Sequence, residues 1–257
     1  MSKVPGSKCI YAATISLLSV FATQAHALVS GGVGYGRRTS QLVYDTSGGS
    51  KTATLTGTEM FASVQVNPFM GFPVAFGVTA QSISADTGAA TKDILQSIVD
   101  SAGNQDLLSV TASGKRTAML YGPTFKIWAP TPYVKPYLKL SFLTGTEVWD
   151  ETYGFSTLEN VTPVTTYTQT SKLKSTRSGR DLQLGLDFAP MKLISFFFEY
   201  AIHRGTTTSK SFDLKSTTVE SGVSESTSAD SSSLTGAEKT AKQSDSKSVR
   251  FGLSVGI

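Results

Sequence analysis

The sequence contains one cysteine, Cys9, and two histidines, His26 and His203. A disulfide needs a second cysteine, and transition-metal sites in proteins are usually built from several histidine or cysteine ligands. We therefore expect a folded chain with no disulfide, no metal centre and no cofactor.

Long apolar runs are also absent, because no stretch after residue 27 approaches the roughly 18 apolar residues of a membrane-spanning helix. The nearest candidate, Ile10 to Ala22, is uncharged but too short. It follows Lys3 and Lys8 and precedes the small residues of Ala25-His26-Ala27. This order is typical of a cleaved secretory signal peptide and predicts a leader at 1–27; a retained N-terminal anchor is the alternative.

A large excess of one sign of charge is absent as well. The formal net charge is +4, and two of the positive charges, Lys3 and Lys8, lie in the predicted leader. Nothing in this balance indicates a nucleic-acid partner. The remaining residues, 28–257, are expected to form one exported domain.

What the domain does contain is alternation. In its last segment Val249, Phe251, Leu253, Val255 and Ile257 fall on one face of a strand, with polar or small residues between them. Only helices and closed barrels cross a bilayer without leaving backbone polar groups unpaired. Alternating segments in an exported chain therefore predict an all-β fold: an eight-stranded, antiparallel, up-and-down transmembrane β-barrel. The strands are predicted near 28–44, 51–66, 72–82, 116–128, 133–143, 180–189, 194–204 and 248–257.

Two other barrels stay open as alternatives. A soluble secreted barrel such as a lipocalin also alternates, but its outer face must be polar, whereas here the nearly unbroken apolar set opposes a set that holds the charges. In a ten-stranded membrane barrel, the two further strands would lie within the long connections after strands 3 and 7.

The predicted connections alternate in length. They are short after strands 2, 4 and 6 and long after strands 3, 5 and 7, at about 82–116, 144–178 and 205–247. Bacterial barrels have short periplasmic turns and long extracellular loops. The first long connection predicts a helix that Thr91 caps, that ends near Gly103 and that carries Ile94, Leu95, Ile98 and Val99 on one face. It is expected to rest on the barrel rim; a lid or a partner-binding helix is the alternative.

The last residues follow the order polar, any, Gly, any, any, apolar, any, apolar, from Arg250 through Gly252 and Val255 to Ile257. This order resembles the C-terminal assembly signal of bacterial outer-membrane barrels, with Ile257 where the family usually has an aromatic residue. The domain as a whole resembles the eight-stranded OmpA/OmpX-type family. The resemblance implies a monomer in the outer membrane of a Gram-negative bacterium, inserted by the barrel-assembly machinery and surrounded by membrane lipid and lipopolysaccharide. It favours a structural or adhesin-like surface role, with any extracellular ligand held by the loops.

Seven charged residues are predicted to face the barrel interior, which in an eight-stranded barrel is just filled by side chains. Lys126 and Asp187 are expected at one height, with Glu199, Lys139 and Arg250 slightly above. Enclosed charges need partners, so the set forms either a neutral polar plug or a gate for a small ion-conducting pore. The residues are Glu59, Lys126, Lys139, Asp181, Asp187, Glu199 and Arg250.

An enzyme is the third functional alternative. Barrel enzymes that modify lipid use histidine and serine near the outer rim, and His203, the only histidine of the domain, is predicted near the outer end of strand 7. The residues after it, Arg204-Gly205-Thr206, do not supply the serine that the deacylase pattern requires. We therefore predict no catalytic residue.

Aromatic residues form two predicted groups. Trp149, Tyr153 and Phe155 lie in a long connection, where they either contact an external ligand or fold onto neighbouring loops. The second group lies near the short turns and predicts an interfacial girdle. Its members are Phe69, Phe72, Trp128, Tyr133, Phe188 and Phe196.

Overall fold

The computed structural model describes residues 28–46, 49–68, 72–101, 107–129, 131, 133–159, 162–190, 194–220, 223–229 and 242–256. The predicted signal peptide at 1–27, the girdle residue Phe69 and the last residue of the predicted assembly signal, Ile257, lie outside these ranges.

Nine strands and one helix make up the described chain. In order they are β1 Leu28–Thr46, β2 Gly49–Asn67, β3 Val74–Asp86, α1 Gly88–Ser101, β4 Leu107–Trp128, β5 Val134–Glu159, β6 Thr162–Phe188, β7 Ile194–Glu220, β8 Val223–Ala229 and β9 Lys242–Gly256.

Eight of the strands close into a ring in which every neighbour is antiparallel. The order is that of the chain from β1 to β7, and β9 pairs with both β7 and β1. β8 lies outside the ring, paired with the far end of β7. The predicted eight-stranded antiparallel barrel is therefore confirmed.

The ring closes with a stagger. A path that starts at Ser30 of β1 and passes on each next strand to the residue paired in register goes once around the ring. It arrives back on β1 at Ser40, ten residues further along. A stagger of this size over eight strands corresponds to strands tilted by about 40° to the barrel axis.

Alternation along each strand separates an apolar outer face from a polar interior. On β7, Phe198 is 53% exposed while the adjacent Glu199 is 2% exposed. The nine residues Ile194–Ile202 put five apolar side chains on the outside over a height of about 20 Å. The other ring strands do the same at this level, and we call the set the apolar band. Its exposed members include Val33, Tyr35, Met60, Val64, Phe76, Val78, Met119, Tyr121, Phe142, Leu182, Leu184, Leu186, Phe196, Phe198, Tyr200, Val249, Phe251, Leu253 and Val255.

Strands β5, β6 and β7 are much longer than predicted. β5 and β6 pair from Val134 with Phe188 up to Glu159 with Thr162, so the predicted connection at 144–178 is almost entirely a hairpin. β7 continues to Glu220, and its far end pairs with β8. These segments are rich in serine and threonine on both faces, so they lack the apolar face that marks a strand in sequence, although threonine favours strands. We call the part beyond the apolar band, 107–115, 144–159, 162–178, 207–220 and 223–229, the sheet extension.

The predicted helix is present and rests on the rim of the barrel against β4. It begins at Gly88, three residues before the predicted start, because Asp86 accepts a hydrogen bond from the Gly88 N–H at 2.8 Å and caps the first turn. The Thr91 hydroxyl donates to Glu151 of β5 at 3.2 Å and ties the helix to the extension. The side chains of Ile94, Ile98 and Val99, and the predicted helix end at Gly103, lie outside the described part of the chain.

No helix within the described ranges is long and apolar enough to cross a membrane.

The aromatic residues near the short turns do not all face the same way. Phe72, Tyr133, Phe188 and Phe196 are exposed as a girdle requires. Trp128 instead packs inward against the side chains of Phe61, Tyr137 and Phe197, because it is two residues from the inward-facing Lys126.

Closure of the ring leaves little room at Gly252 on β9. A Cβ at this position would collide with the Val33 carbonyl oxygen of β1 and the ring of Phe197. We expect Gly252→Ala to lower the free energy of unfolding by about 1–3 kcal/mol through overpacking. Equilibrium urea unfolding of the refolded protein measures this.

Gly256 on the same strand is the matched control, because nothing lies within 4 Å of the Cβ that an alanine would place there. Gly256→Ala should unfold like the wild type. Equal losses for the two variants would show that the approach of β1 to β9 does not limit packing.

Candidate functional site

The inward side chains of β1, β2, β6, β7 and β9 meet in the barrel interior around Arg250. Alternation places Arg250 inward between Val249 and Phe251, and it is 1% exposed. Its Nε donates to Glu59 Oε1 at 2.5 Å and its Nη2 donates to Asp181 Oδ2 at 3.0 Å. Its Nη1 lies 3.9 Å from Glu199 Oε2. One guanidinium therefore contacts carboxylates from three other strands, and we call this cluster the central network.

Glu59 receives further donors on its second oxygen. Arg38 Nη1 donates at 3.2 Å and Gln81 Nε2 at 2.5 Å. Arg38 is in turn held by the Ser246 hydroxyl, which accepts from its Nε and Nη2 at 2.9 and 2.6 Å. The Glu59 carboxylate of β2 thus accepts hydrogen bonds from side chains on β1, β3 and β9.

The lower side of the central network leads towards the short turns. The Tyr137 hydroxyl donates to Glu199 Oε1 at 2.7 Å, and Lys139 Nζ lies 3.4 Å from the same oxygen. Lys126 Nζ donates to Asp187 Oδ2 at 2.6 Å and lies 3.9 Å from the Tyr137 ring centroid. Below this pair a cavity of about 200 Å³ opens at the short-turn end.

His203 lies inside the barrel and not at its outer end, since β7 continues to Glu220. Its Nδ1 is bonded to Asp181 Oδ1, and its Nε2 accepts from Arg177 Nε at 3.3 Å. Because Nε2 is an acceptor, the ring is neutral and its proton is on Nδ1. Both ring nitrogens are occupied and the side chain is 2% exposed, so the geometry does not offer a general base.

A second cluster, the upper network, forms around Glu147 of β5. Arg116 Nε and Nη2 donate to its two oxygens at 3.0 and 2.9 Å, a paired arrangement. Arg177 Nη1 adds a bond of 2.9 Å and Trp149 Nε1 one of 2.6 Å. The Arg116 guanidinium also lies over the Trp149 ring, 4.6 Å from its centroid. Arg177 joins the two networks, because its Nε bonds to His203.

Glu147 lies beyond the apolar band, where the outward neighbours on its strand are Thr146 and Val148. Burial acts to raise the pKa of Glu147, but Arg116 and Arg177 beside it lower the pKa from 4.5 to about 2. The carboxylate is therefore ionised at neutral pH. Because its pKa is lowered by folding, it contributes stability above about pH 4.5 that is lost as the pH falls through 2.

The structure brings all seven of the charged residues predicted for the interior into ion pairs. It adds Arg38, Arg116, Glu147 and Arg177, which were not predicted from the sequence. Glu147 and Arg177 were missed because strand 5 was predicted to end at 143 and strand 6 to begin at 180. Counting every second residue onward from Ser141 on β5 and back from Asp181 on β6 would have found both.

The complete set contains six basic and five acidic side chains, so the interior is close to electrical balance. Within the described ranges, no group of three or more His, Cys, Asp or Glu side chains is placed to hold a metal ion. Chemically, the arrangement joins the walls of the barrel through buried ion pairs.

Arg250 is the residue on which the central network depends. Arg250→Leu would leave Glu59 and Asp181 buried without their main counter-charge, so we expect a loss of about 3–5 kcal/mol in the free energy of unfolding. Urea unfolding after refolding in vitro measures this.

Lys247→Gln provides the control, because Lys247 is exposed on the same strand and should tolerate the change. The double variant Glu59→Leu/Arg250→Leu should regain part of the loss, since both charges are then removed. A double variant as unstable as the sum of the two single variants would show that the two side chains do not interact.

No family model matches the sequence, and no curated protein matches it. Solved structures of outer-membrane proteins are similar in shape at low sequence identity. A major outer membrane protein from Thermus thermophilus has 10% identity and a TM-score of 0.38, covering 90% of this chain and 99% of that one. Ail, the attachment invasion locus protein of Yersinia pestis, has 12% identity and a TM-score of 0.33, covering 89% and 98%. Neisserial surface protein A has 12% identity and a TM-score of 0.35, covering 89% and 97%. All three scores are below 0.5, so the barrel assignment depends on the strand registers of this chain itself.

Proposed function

We propose that the protein is an integral outer-membrane β-barrel with a surface-interaction role, in which the sheet extension carries the contacts. The observation that carries the membrane assignment is the apolar band. Its exposed leucine, valine and phenylalanine side chains surround the whole ring, while the charges are inside. A height of about 20 Å is close to the apolar band of about 25 Å on outer-membrane barrels. A water-soluble barrel would have the opposite arrangement.

The ends of the barrel differ, and this supports one orientation. The connections near 68–73, 129–133 and 189–193 are short, while at the other end β5, β6 and β7 continue well past the apolar band. Short turns face the periplasm in bacterial barrels. The sheet extension and α1 therefore face the exterior.

The ion pairs and packed rings of the interior favour a closed barrel over a small pore. Arg250 spans from β9 to carboxylates on β2 and β6, and Phe61, Tyr137 and Phe197 pack together below it. Opening a continuous path would require these buried ion pairs to separate, which costs several kcal/mol for each unpaired ion. The enzyme alternative is disfavoured by the occupied ring nitrogens of His203.

The outer face of the extension is the surface best suited to a partner. Lys115, Lys172 and Lys174 border a depression of about 650 Å³ on β4, β5 and β6, together with Asp150. Tyr153 and Phe155 face the inner side, where the Phe155 ring lies 5.9 Å from that of Tyr167. Of the two interpretations of these aromatics, packing onto neighbouring strands is the one the geometry favours.

A charge placed in the middle of the apolar band tests the membrane assignment. Phe198→Arg puts a cation near the centre of the band, and we expect folding into phosphatidylcholine vesicles to weaken by about 2–4 kcal/mol. The measurement is the heat-dependent mobility shift of the folded barrel on a detergent gel across a urea series.

Thr206→Arg is the matched control, because Thr206 is exposed on the same face of β7 but beyond the band. It should fold as the wild type does. If both arginine variants fold equally well, lipid does not surround the band and the membrane assignment is wrong.

Shortening the extension tests the surface role. Replacing 151–171 with an Asn-Gly turn between Asp150 and Lys172, which are paired in register, shortens the β5–β6 hairpin. The same variant carries Lys115→Gln, Lys172→Gln and Lys174→Gln, which remove the positive charges of the depression. It keeps Glu147, Trp149 and Arg177. The barrel should still show its heat-dependent shift, while adhesion of cells displaying the protein to an array of glycans and matrix proteins falls about tenfold or more.

Cells carrying the Thr206→Arg variant serve as the control for surface display. Adhesion that is unchanged by the deletion would exclude the β5–β6 hairpin as the contact surface. Wild-type cells that adhere no better than cells lacking the protein would exclude the surface role.

A further inference from the structure

Four exposed basic side chains lie on the outer surface at one edge of the apolar band. They are Arg37 on β1, Arg180 on β6, Arg204 on β7 and Lys247 on β9. Each one is the next outward residue after the last apolar side chain of the apolar band on its strand, on the side of the sheet extension. The strands are neighbours in the ring, in the order β6, β7, β9, β1. We call this set the basic arc.

The opposite half of the circumference has no such charges. At the equivalent positions, two residues beyond the last outward side chain of the apolar band, it carries Thr58, Ser82, Thr117 and Thr144, all exposed. The difference between Ser/Thr on one half and Arg/Lys on the other is therefore a property of one side of the barrel. A general need for polar residues at the edge of the band would not produce it.

The members of the arc are close enough to repel one another. Arg180 pairs directly with Arg204 in register, at a Cα separation of about 5 Å. Lys247 is diagonal to Arg204, because Arg204 pairs with Asp245, and Arg37 is diagonal to Lys247, which pairs with Thr39. Like charges opposite each other destabilise a sheet. Asp245 is the one acidic side chain among these outward positions, so a net positive charge remains.

We propose that the basic arc binds the phosphate groups of lipopolysaccharide in the outer leaflet. The inference rests on the proposed function, since it requires the band to lie in the membrane with the extension outside. An arginine guanidinium donates paired hydrogen bonds to phosphate oxygens, and two adjacent guanidinium groups with a shared anion no longer repel each other. The apolar side chains directly below the arc, Leu182, Ile202 and Val249, face the acyl chains of the same lipid.

The size of the arc favours a glycolipid with several phosphates over an ordinary phospholipid. Four adjacent strands span about 15 Å, which is wide for a single phosphodiester. The lipid anchor of lipopolysaccharide carries two phosphates on one disaccharide, so one molecule can contact both ends of the arc.

The binding experiment uses the refolded protein in phosphatidylcholine nanodiscs, titrated with purified lipid A and read by native mass spectrometry. The test variant is Arg37→Gln/Arg180→Gln/Arg204→Gln. Its matched control, Lys92→Gln/Lys210→Gln/Lys215→Gln, removes three exposed positive charges that lie outside the apolar band and outside the basic arc. We expect the wild type and the control to bind lipid A alike and the arc variant to bind about tenfold or more weakly.

Two further arms test the chemistry of the ligand. Lipid A without its phosphates should bind the wild type as weakly as intact lipid A binds the arc variant. Arg180→Lys/Arg204→Lys, which keeps the charge but loses the paired donors, should fall between the wild type and the arc variant. Equal binding by the wild type and the arc variant, or undiminished binding of phosphate-free lipid A, would overturn the proposal. Phosphatidylglycerol that competes as well as lipid A would overturn the assignment to lipopolysaccharide.

Failure of this proposal is separable from failure of the proposed function. The heat-dependent shift in plain phosphatidylcholine contains no lipid A and reports insertion alone. A barrel that inserts normally but does not distinguish the arc variant from its control retains the membrane assignment and loses only the lipid site.

Discussion

Closure of the β-ladder between the first and last strands is the constraint on which the rest of the structure depends. Once β1 pairs with both β2 and β9, every strand of the ring has a partner on each side, and its backbone groups are satisfied without help from solvent. The ten-residue stagger sets the tilt of the strands. With eight strands, the interior is then too narrow for anything but side chains, and the close approach of β1 to Gly252 follows from the same geometry.

The narrow interior explains the ionic networks. Most polar side chains directed inward are shielded from bulk water, so each buried charge needs a counter-charge from a residue on another strand. Arg250 meets this requirement for Glu59 and Asp181 at once, and Arg177 extends the connection through His203 to Glu147 and Arg116. The result is a set of ion pairs that joins walls of the barrel far apart in sequence. Such ion pairs stabilise the fold little more than apolar residues of equal size would. Removing one charge of a pair is nevertheless costly, because the other charge is then buried without a partner.

Beyond the apolar band the same strands are held together by different interactions. In the sheet extension neither face is strongly apolar, and the strands are held by backbone hydrogen bonds, threonine-rich pairs and contacts such as that of Phe155 with Tyr167. Here the sheet no longer closes, because β3 ends at Asp86 and β9 begins at Lys242. The extension is therefore an open sheet standing on a closed one, with α1 against its base.

The sequence alone predicted a barrel of eight strands and most of the side chains that face outward, because a period of two with an apolar face is a local signal that a strand such as Ile194–Ile202 displays. It also indicated that Lys126 and Asp187 lie at one height. Only the tertiary structure decided how far the strands run past the band, since Ser/Thr-rich pairing between residues such as Glu159 and Thr162 leaves no apolar periodicity to detect. It alone placed His203 between Asp181 and Arg177, and Arg180 opposite Arg204. Those neighbours depend on the register between strands, which is set by closure of the whole ring and by no short stretch of residues.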